Sequence, residues 1–133
     1  MLINLLIFGS LGMTIEVLFN AILSYALGRR NSFCLKGEIS AWMFPVYAIG
    51  LTIGFDIIEQ TITVTTLRWL SYPLWIWGIE LLIGIPTKHT IGKLWDYSDI
   101  PYGLHYQGII SFFHAPFWIL FGMIFEILRQ AIL

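Results

Sequence analysis

Two glutamates lie inside long apolar runs: Glu16 within residues 2–27 and Glu80 within residues 67–85. A carboxylate at membrane depth is costly and normally faces a bundle interior or water, so it reads first as a proton site, a cation site or half of an acid–base pair. If two such carboxylates approach, the pKa of one rises strongly. Gly12, Glu16 and Asn20 recur every four residues, which places them on one stripe of a helix. Glu80 and Gly84 repeat that spacing. Small residues on the same stripe let helices approach closely, so the faces that carry the glutamates are also expected to be packing faces. The alternative is structural: each glutamate neutral, or paired with Lys36, Arg29 or Arg30 near the interface.

A second concentration of polar chemistry runs Trp95-Asp96-Tyr97-Ser98-Asp99-Ile100-Pro101-Tyr102-Gly103-Leu104-His105-Tyr106. Its donors and acceptors suit either a cap over the mouth of a helix bundle or a set of local turn bonds, for which Asp96 and Ser98 are well suited. Asp56 and Glu126 lie near helix ends and read as snorkelling interfacial charges. His114, beside Pro116, reads as a packed residue hydrogen-bonded to a neighbouring helix. His89, His105 and Asp99 lack ligand spacing such as HExxH, so no metal and no cofactor are expected. There is no GxSxG, and Gly92-Lys93 is followed by Leu94 with no earlier glycine at Walker A spacing, so the chain itself should not hydrolyse ATP.

These residues must be positioned by helices. Of 133 residues, 58% are hydrophobic and 11% charged, where soluble domains are nearer a quarter charged. Mean hydropathy is +0.81. Four segments approach the roughly 20 apolar residues needed to cross a bilayer: about 2–27, 37–58, 67–85 and 108–128. The first lacks the positive flank of a signal peptide and is read as a helix of the mature protein. The β-branched stretch 61–65 reads as a tight external turn. Arg29, Arg30, Lys36, Lys88 and Lys93 fall in loops 28–36 and 86–107, while Arg68 and Arg129 fall on the opposite side. The basic loops are therefore expected in the cytoplasm and both termini outside. Net charge is −1, which gives nucleic acid nothing to bind, and one cysteine, Cys34, permits no internal disulfide.

Two parts of the chain look alike. Gly37, Ser40, Pro45 and Tyr47 have the spacing of Gly108, Ser111, Pro116 and Trp118, and Ile15-Glu16 matches Ile79-Glu80. A duplicated hairpin follows, with both copies starting on the same side of the membrane; such repeats are a known transporter architecture. The expectation is an all-α integral membrane four-helix bundle forming one transmembrane domain over residues 1–133. Its two parallel-repeat hairpins would be related by a pseudo-two-fold axis along the membrane normal, with Glu16 and Glu80 facing each other at similar depth.

Glu16-Val17, Lys36-Gly37 with Ser40, Trp42, Phe44 and Tyr47, Trp77 with Glu80 and Gly84, Trp95-Asp96-Tyr97-Ser98, and Gly108 together resemble one family. It is the ABC-transporter type IV membrane protein family, whose animal relatives are called transmembrane protein 229. The resemblance covers nearly the whole chain, and its most specific part is the Trp-Asp-Tyr-Ser string. His105 stands where the family often has Asn. The resemblance implies a permease-type membrane component and adds weight to Glu16, Glu80, Lys36 and residues 95–98. The candidate ligand- or ion-binding set is then Glu16, Asn20, Lys36, Ser40, Tyr47, Glu80, Trp95, Asp96, Tyr97, Ser98 and His105. The leading expectation is a component that binds or moves a small molecule, ion or lipid. Membrane lipids, a second copy or partner membrane subunits, and a separate ATPase are its expected partners. A membrane-embedded enzyme on a lipid-like substrate and a structural or assembly subunit are the alternatives.

Overall fold

The structure, a computed structural model, describes residues 1–29 and 33–133. Arg30, one of the basic residues in the orientation count, lies with Asn31 and Ser32 outside the described residues. The chain is 72% helical. Helix α1 is Leu2–Ala26, α2 is Met43–Ile49, α3 is Phe55–Thr61, α4 is Thr65–Thr90 and α5 is Ala115–Ile132. A π-helical turn, Gly50–Gly54, follows α2, so the described residues contain four helical stretches. They divide into two compact units, Met1–Gly54 and Phe55–Leu133.

In the first unit α1 is an apolar run without proline. It ends at Gly28, which takes φ +68° while its N–H bonds the carbonyl of Tyr25 at 3.0 Å. A left-handed glycine just past the last turn is a common helix stop. The helix packs on α2 through two glycines. A Cβ on Gly9 would stand 2.8 Å from the Phe44 ring, and one on Gly12 would stand 2.5 Å from the Tyr47 ring.

Two expected helix starts move. Residues 37–42 are not helical, and α2 begins at Met43. Gly108 likewise precedes its helix, lying beside a two-residue antiparallel pair in which β1 (His105–Tyr106) meets β2 (Ile110–Ser111). The reason is common to both. Pro45 and Pro116 carry no N–H and their rings crowd the carbonyl four residues back, so a first turn, where no helical bond is lost, suits each best, although α4 carries Pro73 and Pro86 in its interior. The helices therefore start at Met43 and, after one 3₁₀ turn, at Ala115.

In the second unit residues 62–64 form the turn between α3 and α4. Helix α4 outruns the expected 67–85, continuing through Pro86 to Thr90. Its buried stripe is Arg68, Tyr72, Glu80 and Gly84, at multiples of four residues. Its exposed stripe is Leu67, Leu70, Leu74, Leu82 and Ile85. Helix α5 repeats the arrangement, burying Trp118, Gly122, Glu126 and Arg129 while exposing Phe117, Leu120, Ile124 and Ile127. Two stretches, Leu2–Ala26 and Phe112–Ile132, are long and apolar enough to cross a membrane. The other two fall short of that test of length and apolarity: α4 carries its polar stripe, and the second stretch is split by the π-helical turn.

Candidate functional site

Glu16 stands on the α1 face opposite Tyr47 of α2, and the Tyr47 hydroxyl donates to its Oε2. Asn20, one turn along α1, also bonds the carboxylate. Gly12 makes this possible, because any side chain there would occupy the place of the Tyr47 ring. Glu16 is half-buried. Lys36 is exposed; among the described residues a phenol and an amide are hydrogen-bonded to Glu16. Ser40 makes a local bond, its hydroxyl accepting from the Trp42 amide at 3.3 Å.

Glu80 is buried in the second unit, and its Oε1 accepts from the Tyr97 hydroxyl at 2.8 Å. Tyr97 reaches it because residues 95–98 are fastened to the chain around Gly108. The Trp95 indole donates to the carbonyl of Ile109 at 2.8 Å, and the Tyr97 amide donates to the carbonyl of Gly108 at 2.9 Å. Asp96 accepts from both the amide and the hydroxyl of Ser98, and from Lys93 Nζ at 2.8 Å. Lys93 and Ser98 together hold the Asp96 carboxyl down at about 2. His105 Nδ1 accepts from the Gly108 amide at 3.0 Å, so this residue serves the turn.

Aromatic rings wall the Glu80 centre. Tyr97 lies against His114, whose ring stacks on Trp118 at 5.6 Å. His114 Nδ1 is hydrogen-bonded to the hydroxyl of Ser111 within its own turn, and the Trp77 indole donates to the Ser111 carbonyl at 3.1 Å.

A third cluster was not foreseen. Glu126, read from sequence as an interfacial charge, is only 3% exposed. Its carboxylate accepts from Arg68 Nε at 3.0 Å, from Arg68 Nη2, and from the Tyr72 hydroxyl at 2.7 Å. Arg68 Nη1 also donates to the carbonyl of Ile62 at 2.7 Å. Tyr72 fits because Gly122 lets its ring lie where a Cβ would be. Arg129, buried as well, pairs with Asp56 and approaches Glu59 at 3.5 Å. Asp56 is itself exposed, its side chain 56% accessible, so it keeps its place at the water-facing end of the helix while it pairs with the arginine. The missed signal was an acid and a base near the same ends of two neighbouring apolar helices, with Tyr72 one turn from Arg68.

Comparison with protein-family models, with curated proteins and with solved structures finds no match. Glu16, Asn20 and Tyr47 form one carboxylate centre; Glu80 and Tyr97, with residues 95–98 as their support, form another. Both can accept a proton or a donor in exchange for the phenol. The Arg68–Glu126 fork is instead a bidentate charge pair, the strongest and most rigid of these arrangements.

Proposed function

We propose that the chain is a multi-pass integral membrane protein with four spans, a permease-type component that binds or moves a small molecule, an ion or a lipid through polar centres at Glu16 and Glu80. One observation carries the reading. The buried stripe of α4 is polar while its exposed stripe is leucine and isoleucine, and on that inner stripe a carboxylate is held by a tyrosine hydroxyl. That distribution suits a lipid solvent and reverses what water selects. A phenol is neutral. Its bond to a carboxylate contributes about 1.5–3 kcal/mol, which a proton, a cation or a donor on a solute can replace.

The resemblance to the ABC-transporter type IV membrane proteins fits this reading, in which a separate ATPase supplies the energy and a second copy or partner subunit completes the path. Loops 28–36 and 86–107 are then cytoplasmic and both termini outside. The duplicated hairpin belongs to the same proposal. It is supported by the non-helical Gly-x-x-Ser segment before each proline-bearing helix, while the phenols on the two glutamates, Tyr47 and Tyr97, come from positions that the repeat does not relate. Native mass spectrometry from gentle detergent tests the function. The wild-type chain should retain a ligand, lipid or partner, and Glu16→Gln and Glu80→Gln should each lose it at least tenfold. Unchanged retention in both variants overturns the proposal.

The buried Arg68–Glu126 pair and the half-buried Arg129–Asp56 pair favour a second reading, a structural or assembly subunit. On that reading the two glutamine variants would lower thermal stability and leave retention of every bound species as it was.

A further inference from the structure

Resting on the membrane reading, we propose a second binding site, at the loop end of α4, for the phosphodiester headgroup of an anionic lipid. A notch of about 10 Å³ opens there, lined among others by Gly84, Lys88, Lys93, Trp95, Gln107 and Gly108. That volume admits about one water-sized group, such as a single phosphate oxygen. No acidic residue lines it. Lys88 is half-buried and makes no ion pair with another described residue. Lys93 gives one N–H to Asp96 at 2.8 Å, which leaves its ammonium two further donors. Gly84 clears the floor: a Cβ there would stand 2.6 Å from Ile109 and 3.2 Å from the Trp95 ring.

The surroundings select a lipid over free phosphate. Ile85, an exposed apolar side chain, lies three residues before Lys88 and so beside it on α4, one turn nearer the centre of the helix, where an acyl chain leaving the notch could lie. Trp95 is an amphipathic ring of the kind found at headgroup level. The notch also lies on the basic loops read as cytoplasmic, the side on which anionic lipids collect and where each nearby cation strengthens binding about fivefold.

The test titrates the full chain in gentle detergent with phosphatidylglycerol, phosphatidylcholine and inorganic phosphate, read by native mass spectrometry. Phosphatidylglycerol should be preferred. Lys88→Gln and Lys93→Gln should each weaken it about fivefold, the double variant should lose the preference, and the double arginine variant should regain it. Equal binding of the two lipids, a preference intact in the double glutamine variant, or inorganic phosphate binding as tightly as phosphatidylglycerol would each overturn the site. Alkaline carbonate extraction separates this failure from failure of the membrane reading. A chain released from membranes by carbonate overturns the membrane reading itself, whereas a chain that resists carbonate yet shows no lysine dependence overturns only the headgroup site.

Discussion

Gly108 has φ +70°, and a Cβ on it would stand 2.6 Å from Asp96 Oδ1 and 2.7 Å from the Ser98 hydroxyl. Left-handed backbone alone costs an alanine about 1–2 kcal/mol, and the clash must be added to it. Gly108→Ala should therefore destabilise the chain by about 2–3 kcal/mol and loosen Tyr97 from Glu80, read as a lower Tm in detergent and as altered tyrosine environment. A Tm within error of wild type would show that residues 95–98 are not anchored through this turn. Asp96 makes a pH prediction at the same place. Its carboxyl is held at about 2, below the usual carboxylate value of 3.8. A group depressed in the folded state contributes stability above its unfolded value and loses it as pH falls towards the folded one. The contribution should be intact at pH 5 and fade between about 4 and 2. Because Asp96 is exposed, it should stay under about 1 kcal/mol. The Tm difference between wild type and Asp96→Asn, measured across that range, should shrink towards zero at the acid end.

Between elements, the strongest tie in the second unit is the fork joining Arg68 of α4 to Glu126 of α5, with side chains 9% and 3% exposed. Removing one partner strands a buried charge, so Arg68→Met or Glu126→Leu alone should cost about 3–5 kcal/mol. The double variant should recover most of the loss, since a well-packed apolar pair avoids desolvating either ion. A double-mutant cycle on thermal or denaturant stability checks this; additive losses would mean that the two side chains do not act as a pair. The pair also marks where sequence reading stops. The helices were legible because long apolar runs have few other ways to satisfy their backbones, and the stripe of Gly12, Glu16 and Asn20 announced the packing face of α1, where Gly12 meets Tyr47. Helix starts were misplaced by several residues because the prolines act on the turn before them. Arg68 and Glu126 are 58 residues apart, and nothing local distinguishes a buried charge from one reaching for water. Tyr97 meeting Glu80 was equally hidden, since it depends on a turn at Gly108 and a strand pair two residues long.

For the whole molecule, the open choice is between two membrane crossings and four. By length and apolarity Leu2–Ala26 and Phe112–Ile132 qualify. With only these two, residues 27–111 would lie on one side, and Leu70, Leu74 and Leu82, which are 60%, 66% and 75% exposed, would face water. Each fully wetted leucine forgoes about 1.5–3 kcal/mol of burial, and α4 exposes a whole stripe of them. Lipid around α4 removes that cost, which favours four. Tags on the termini cannot decide, because an even number of crossings leaves both ends on the same side. Cys34 can. It is the single cysteine, it is exposed, and it lies in the first basic loop. In a Cys34→Ser background, exposed Gln60 and His89 serve as further reporter positions. Four crossings place Cys34 and His89→Cys on one side and Gln60→Cys on the other. Two crossings place all three together. An impermeant maleimide applied to sealed cells should label only Gln60→Cys, and after permeabilisation it should label all three. Labelling of Cys34 and His89→Cys with Gln60→Cys protected would keep four crossings and reverse the orientation, while uniform behaviour of the three would leave α1 and α5 as the only spans.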